Sequence, residues 1–378
     1  MKKIVLIPDS FKGTLSSKAI CRITETAIRR HYPDIEIISV PLADGGEGTV
    51  DSFLTAAGGE RIECTVDGPY LTAVDAFYGI LPDQTAVIEM AAAAGLPLVE
   101  DEKNPGLTTT FGVGQLIDDA IRRGCRTIIL GLGGSATNDF ACGVAAALGA
   151  VFYNSEGLPF LPTGDTLADV HSIDLTELHR RIEGVEIIAI CDIDNPLTGP
   201  RGAAAVFGPQ KGADPEMVER LDRGLASIAR LVKHQFGVDV DSIPGAGAAG
   251  GMGGGMLAFV GAELKMGVEV VLDLVDFETL ITDADLVITG EGKVDDQSLG
   301  GKAIVGVARR AKQLNVPVIV LAGGLPSDDE AIYESGVTAL ISINRNAEDF
   351  SVARFKTEEN LAKTVDSIMR LLKGFARD

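Results

Sequence analysis

Ile4, Val5, Leu6 and Ile7 form a short unbroken apolar run, the pattern of a strand covered on both faces. A loop at 8–15 follows. Ser16 or Ser17 then caps a helix whose apolar positions, Ile20, Ile23, Ala27 and Ile28, recur at helical spacing. Residues 35–40 read as a second strand, and residues 44–49 open a second helix. Two successive strand-loop-helix units predict an open α/β sheet.

The rhythm changes after Gly58. Residues 60–66 and 73–80 predict two antiparallel strands around a turn at Asp67-Gly68-Pro69, with a third strand at 87–90. A helix is expected at 110–123, a strand at 127–130, and a buried strand at 187–191. Met217, Leu221, Leu225, Ile228 and Leu231 mark a long amphipathic helix. Near the end the simple rhythm returns, with strands at 286–289, 316–321 and 339–343 and a helix at 303–313. A closing helix carries Leu361, Val365, Ile368 and Leu372. Base rates for α/β units turn this order into a discontinuous architecture. Residues 1–70 and 275–378 would share one parallel sheet, and residues 71–274 would form an inserted α/β domain with a mixed sheet.

The length of 378 residues agrees with two domains at roughly 100–200 residues each. The net charge of −21 disfavours nucleic acid and anionic lipid as partners, and it would also repel a phosphorylated substrate. Any phosphate site must therefore be built locally, from Lys, Arg, backbone N–H groups or a bound cation. Five Cys without a C-x-x-C pair, and four His without metal-ligand spacing, argue against a disulfide framework or a structural zinc site. A reducing cytoplasm fits best, and no signal peptide precedes the first strand. Residues 243–262 are uncharged, but eight of the twenty are Gly. That tract reads as a flexible loop running into a helix, a hinge or lid rather than a membrane span.

The common nucleotide motifs are absent. The pairs Gly292-Lys293 and Gly301-Lys302 lack the upstream Gly of a P-loop. Residues 131–136 read G-x-G-x-x-A between a strand and a helix, the context of a dinucleotide site. This keeps a dinucleotide-dependent dehydrogenase of a small hydroxy acid open as an alternative, beside a non-catalytic sugar-acid sensor.

The shared chemistry of the strand ends carries more weight. The segments PDSFKG (8–13), DGGEG (44–48), GGSATND (133–139), DIDNP (192–196) and GEGKVDDQ (290–297) each end or follow a strand. Ligands of open α/β sheets sit at the carboxyl ends of strands, where Gly lets backbone N–H groups approach an anion. Carboxylates in the same loops fit when Mg²⁺ bridges them to phosphate oxygens. Asp192, after a buried strand, is the candidate general base. Lys12 and Lys293 are candidates for neutralising a transferring phosphoryl group. Asp44, Glu291 and Asp295 are the candidates for Mg²⁺. Ser10, Gly13, Gly45, Gly46, Gly133, Gly134, Ser135, Asn138, Asn195, Lys211, Gly290 and Gln297 are the candidates for substrate or phosphate binding, with the N–H groups of Gly133, Gly134 and Ser135 holding a carboxylate or phosphate.

These segments, with FGPQKGA (207–213) and PGAGAAGGMG (244–253), stand in the order of one family. The chain resembles the bacterial type-1 glycerate kinases. The resemblance implies ATP-dependent phosphorylation of D-glycerate, with 2-phosphoglycerate expected over 3-phosphoglycerate. It implies two α/β domains, one flavodoxin-like, with the active site in the cleft between them. Mg²⁺ and ATP are the cofactor and co-substrate of the expected cytoplasmic enzyme, a monomer or homodimer. Phe140 and Ala141 depart from the family pattern, which continues after Asp139 with two Gly.

Overall fold

The computed structural model describes residues 1–42, 45–294 and 303–375. The sequence-nominated Asp44, Asp295 and Gln297 lie outside the described residues. The chain divides into two compact units, one of residues 1–43, 55–57 and 266–378, the other of residues 44–54 and 58–265. The dividing points differ from the expected 70/71 and 274/275. The strand at 60–67 goes with the second unit because it pairs along its whole length with the strand at 73–80.

In chain order the strands are β1 (Lys3–Leu6), β2 (Glu36–Ser39), β3 (Glu60–Asp67), β4 (Ala73–Ile80), β5 (Thr85–Glu89) and β6 (Thr127–Gly131). They continue with β7 (Val151–Tyr153), β8 (Pro159–Phe160), β9 (Ser172–Asp174), β10 (Glu186–Ile190) and β11 (Glu263–Lys265). The last three are β12 (Leu286–Lys293), β13 (Val318–Gly324) and β14 (Ala339–Ser342).

The first unit holds one five-stranded sheet in the order β2-β1-β12-β13-β14, parallel throughout. Renumbered within the sheet, this is the 2-1-3-4-5 order of flavodoxin-like folds, as the family resemblance implied. Period-two alternation splits each buried strand between two faces. Ile4, Leu6, Leu286, Ile288, Ile319 and Leu321 pack in one core with Ile20 and Ile28 of the helix Ser17–Arg29 and Leu361 and Val365 of the helix Thr357–Phe375. Ser16 caps the first of these helices by accepting from the Ala19 N–H, while Ser17 donates to the Leu42 carbonyl. Strand β12 outruns its expected end at residue 289 by four residues. Gly290 permits this, because a Cβ there would stand 2.2 Å from the Leu321 carbonyl oxygen of β13.

The second unit holds a six-stranded sheet, β11-β10-β6-β5-β4-β3. The strands from β11 to β5 are parallel, whereas β4 and β3 are antiparallel additions. A small antiparallel sheet, β8-β7-β9, was not expected from the sequence. Its strands of two or three residues are too short to show a period. The helix Pro215–Phe236 starts at Asp214, whose side chain accepts from the Met217 N–H, and stops at the left-handed Gly237.

The glycine tract runs, as expected, from turns at 243–247 into a helix, Ala248–Val260, which is buried and kinked at the left-handed residues Ala249, Gly250 and Gly251. The family's two glycines are replaced at Phe140 and Ala141, yet both keep positive φ, 54° and 57°. The backbone thus follows a path that glycines would favour. Phe140 offsets its strain by complete burial and by edge-to-face packing on Phe259, ring centroids 5.5 Å apart.

Candidate active site

Parallel pairing lines up the carboxyl ends of four strands in the second unit. Glu89, Gly131, Ile190 and Lys265 form one row across β5, β6, β10 and β11. The loops leaving this row carry Gly133 to Asp139 and Asp192 to Asn195. The loop holding Gly45 and Gly46 packs onto it. Gly133 donates its N–H to the Gly45 carbonyl at 2.8 Å. A Cβ on Gly131 would stand 2.4 Å from the same oxygen, and one on Gly45 would stand 2.7 Å from Ile190 Cγ2. The glycines are therefore required for loop-on-loop packing. The Gly133 N–H, expected to hold a carboxylate or phosphate, is engaged by protein here. This packing also accounts for the dinucleotide-like glycines at 131–136 without a dinucleotide. Next along the loop, Gly134 accepts from Leu96 N–H, and Ser135 bridges to Gly95, so this segment is tied to residues 94–96.

Glu89 was missed, although a carboxylate ending a buried strand is the same signal that nominated Asp192. It is buried, and its Oε1 accepts the Val50 N–H at 2.8 Å; the Gly48 N–H also bonds the carboxylate. The side chain thus caps the helix Thr49–Ala57, and a protein carboxylate fills the place an anion would take. Burial pushes its pKa up, with the two N–H bonds opposing. A raised carboxylate pKa stabilises the folded state at low pH, and that contribution is lost as pH rises through the folded-state value. At neutral pH Glu89→Gln is therefore expected to match or exceed the native stability, because an acceptor oxygen stays without the buried charge. Glu89→Ala is expected to lose about 1–3 kcal/mol through orphaned N–H groups. Urea denaturation of both variants at pH 7.5 checks the order.

Lys211 is the most unusual group in the unit. It lies 2% exposed, where lysines are almost never found unpaired. Its Nζ donates to Ser135 Oγ at 2.8 Å and to the Thr137 carbonyl at 2.7 Å. Burial lowers its pKa to about 7, and the charge of Asp139 opposes the fall. Asp139 is fully enclosed, and its pKa is raised by burial against the bonds it accepts. Its Oδ2 accepts from Thr110 N at 2.7 Å, Thr110 Oγ1 at 2.9 Å, Gly143 N at 3.2 Å and Thr109 Oγ1 at 3.3 Å, while Oδ1 has no partner. Asp139, Thr109 and Thr110 were not nominated from sequence.

The lowered pKa of Lys211 has a measurable sign. Between about pH 7 and the ordinary lysine value of 10.5, the unfolded chain holds a proton that the folded chain has released. Stability therefore rises with pH across that window, by at most about 1.4 kcal/mol per pH unit. Denaturation of the native protein and of Lys211→Met from pH 6 to 10 is expected to give a difference that shrinks on the acid side and grows toward alkaline pH in favour of the native chain.

Asp192 is half-buried beyond the end of β10. Cys191 fixes it there, through an N–H bond to the Lys265 carbonyl at 2.9 Å and a thiol bond to the Ile193 carbonyl at 3.3 Å. Burial pushes the Cys191 thiol up to about 11, so it is no nucleophile at neutral pH. Asn195 donates its amide to the Arg201 carbonyl at 2.8 Å, and Asp194 pairs with Arg201 at 3.1 Å. Asn195 thus shapes the loop beside Asp192.

In the first unit the chain order reverses between β1 and β12, the place where ligands of such sheets bind. The loop after β1 carries Asp9, Ser10, Lys12 and Gly13. The Ser10 N–H donates to Asp9 Oδ1 at 2.6 Å, and the Asp9 N–H to the Gly290 carbonyl at 2.9 Å. Glu291 and Lys293 close β12 beside it, Glu291 buried and Lys293 exposed. Gly292 lies against Phe11 and Lys12: a Cβ there would stand 3.3 Å from Phe11 Cα and 3.4 Å from Lys12 N. Gly13 has φ +78° with open space around it, so it serves a turn. Gly290 serves the close β12–β13 contact. Among the described residues no group of three Asp, Glu, His or Cys is placed to hold a metal ion, and Glu291 is the one described member of the trio nominated for Mg²⁺.

Together these features define an α/β protein with polar and charged loops gathered at the carboxyl ends of its parallel strands. The sequence model of the glycerate kinase family matches residues 4–373. The chain is 45% identical to a glycerate kinase of Haemophilus influenzae over 372 residues, 98% of each chain. It is 45% identical to a glycerate 2-kinase of Escherichia coli over 343 residues, 90% of each. A crystal structure from Salmonella typhimurium LT2, described provisionally as glycerate kinase 2, superposes with a TM-score of 0.86 at 43% identity, covering 99% of this chain and 98% of that one. The chain belongs to the glycerate kinase family and is an enzyme of that class. No helix among the described residues is long and apolar enough to cross a membrane.

Proposed function

We propose that this enzyme transfers the γ-phosphoryl group of Mg²⁺·ATP to the 2-hydroxyl of D-glycerate, giving 2-phosphoglycerate and ADP. The observation that carries the reading is the gathering of Lys12, Glu291 and Lys293 at the β1/β12 reversal, a phosphate-side group, in a chain whose other unit presents Asp192 and a buried lysine at its strand ends. Family membership supports the acceptor, and the name of the Escherichia coli relative supports the 2-position.

Phosphoryl transfer asks little covalent chemistry of the protein; positioning and charge neutralisation do most of the work. Lys12 and Lys293 neutralise the phosphoryl oxygens, and the Ser10 and Gly13 turn orients them. Asp192 accepts the proton of the attacking hydroxyl or orients it. Mg²⁺ usually needs only one or two carboxylates besides nucleotide phosphates and water, so Glu291 fits as a protein ligand. When bound, the ion neutralises charge on the phosphates. Unpaired cysteines throughout suit a reducing compartment, and the enzyme is read as cytoplasmic, a monomer or homodimer.

The test is ADP release with Mg²⁺·ATP, with and without D-glycerate, followed by phosphorus NMR of the product. Glycerate-dependent release with a phosphorus signal split by one proton is expected. A signal split by two protons would move the assignment to the 3-hydroxyl. Release no greater than with ATP alone, from folded protein, would remove glycerate as acceptor.

A further inference from the structure

Six buried side-chain nitrogen or oxygen atoms among the described residues have no hydrogen-bond partner. Three of them sit on consecutive residues: Thr137 Oγ1, Asn138 Nδ2 and Asp139 Oδ1. Buried polar atoms are normally paired, so three orphans in a row call for a cause. The same segment is gripped by Lys211, whose Nζ, when protonated, spends two of its three N–H groups on Ser135 Oγ and the Thr137 carbonyl. A buried ammonium is costly to keep unless an anion repays it. Asp139 supports that charge, but its own bonds run through Oδ2 to Thr109, Thr110 and Gly143. The hydroxyl of Thr137, the amide of Asn138 and the remaining N–H of Lys211 are thus three donors without protein acceptors. Residues 135–139 are buried, whereas Gly134 at the head of the loop is exposed, so the solvent side of this donor set is at Gly133 and Gly134.

The rigidity of the segment strengthens the case. A Cβ on Gly250 would stand 2.0 Å from the Thr137 carbonyl oxygen and 2.5 Å from Asn138 Cα, so the kinked helix backs the loop directly. Phe140 N–H bonds the Gly250 carbonyl at 3.3 Å, and the strained Phe140 and Ala141 follow. The orphan donors therefore cannot reach partners by a small relaxation of the loop. Donors held in place without acceptors are the arrangement that recognises an anion.

We infer that Thr137 Oγ1, Asn138 Nδ2 and Lys211 Nζ form the subsite for the carboxylate of the hydroxy-acid substrate, which leaves the nucleotide phosphates to other groups. The assignment rests on the proposed kinase activity, deepens it, and gives Thr137 a specificity role that its sequence position did not announce.

Thr137→Val is the sharpest test, because it keeps the shape and removes a hydroxyl that bonds nothing within the protein. A merely structural Thr137 predicts equal or higher stability and unchanged kinetics. The subsite predicts that the KM for D-glycerate rises about tenfold or more, while the KM for ATP stays within about twofold; a hydrogen bond to a charged group is worth about that factor. Asn138→Asp, which sets a carboxylate against a carboxylate, is expected to raise the glycerate KM about a hundredfold. Direct binding is read by the D-glycerate-induced rise in Tm without nucleotide, lost in both variants, while the ATP-induced rise persists. An unchanged glycerate KM and an intact glycerate-induced rise in folded Thr137→Val and Asn138→Asp would overturn the subsite, with the native enzyme still active. Selective loss of ATP affinity in these variants would overturn it too, and would place a phosphate there. A native enzyme that fails to turn over D-glycerate at all would instead remove the activity on which the assignment rests.

Discussion

Asp192→Asn is expected to lower kcat with D-glycerate by about 10²–10⁴, the range that a positioned general base contributes, with the KM for ATP nearly unchanged. The substitution keeps size and hydrogen-bonding geometry but removes the proton acceptor. Other groups also anchor this loop. Cys191 holds the backbone through Lys265 and Ile193, Asn195 holds Arg201, and Gly247 donates to the Asn195 carbonyl at 3.1 Å. Loss of an interaction used in the transition state lowers kcat and kcat/KM together, whereas loss of ground-state binding raises KM alone. Steady-state kinetics against both substrates, with the melting temperature as control, separates the two. Full turnover by a folded Asp192→Asn enzyme would exclude Asp192 from the chemistry and direct the search for a base to the other carboxylates of the strand ends.

The buried parallel strands were readable because an apolar run bounded by Gly, Pro or Asp has few other interpretations. Strands β1, β6, β10 and β12 were placed this way, and with them the loops that carry Lys12, Gly133, Asp192 and Glu291. Period and length limited the rest. The strands β7 to β9 are too short to carry a period, and the glycine tract at 248–260 has the composition of a flexible loop yet is enclosed in the core. Its glycines answer to neighbours far away in sequence: Gly255 would place a Cβ 2.0 Å from the Phe140 carbonyl oxygen, and Gly250 2.0 Å from that of Thr137. The same holds within the site. Sequence pointed to Gly133 and Gly45 as anion binders, and to Gly131 as part of a dinucleotide-like motif, because glycine frees N–H groups for ligands. The fold uses them so that two loops touch backbone to backbone. Conversely, Glu89 and Asp139 look like ordinary strand-end and turn residues in sequence. Only their burial and their partners, Val50 and Gly48 for one and Thr109, Thr110 and Gly143 for the other, reveal their hold on the loops.

The same distinction separates two glycines with similar backbone conformations. Gly13 and Gly250 both have positive φ, +78° and +69°. An Ala at position 13 meets open space, so its cost is the left-handed backbone alone, about 1–2 kcal/mol. An Ala at position 250 adds to that strain a Cβ 2.0 Å from the Thr137 carbonyl oxygen, which is backbone and cannot swing aside. Relief requires moving residues 137–138, and these are fixed by Lys211 on one side and by Asp139 and its four bonds on the other. Gly250→Ala is therefore expected to lose more than about 4 kcal/mol, or to fail to fold, the scale of loss reserved for a named steric or core defect. Any folded fraction should show a weakened glycerate-induced rise in Tm, because the displaced segment carries the proposed carboxylate donors. Denaturation midpoints of Gly13→Ala and Gly250→Ala measured side by side decide the matter. Similar small losses in both would mean that the 137–141 loop yields at little cost, and the rigidity on which the donor geometry depends would then be refuted.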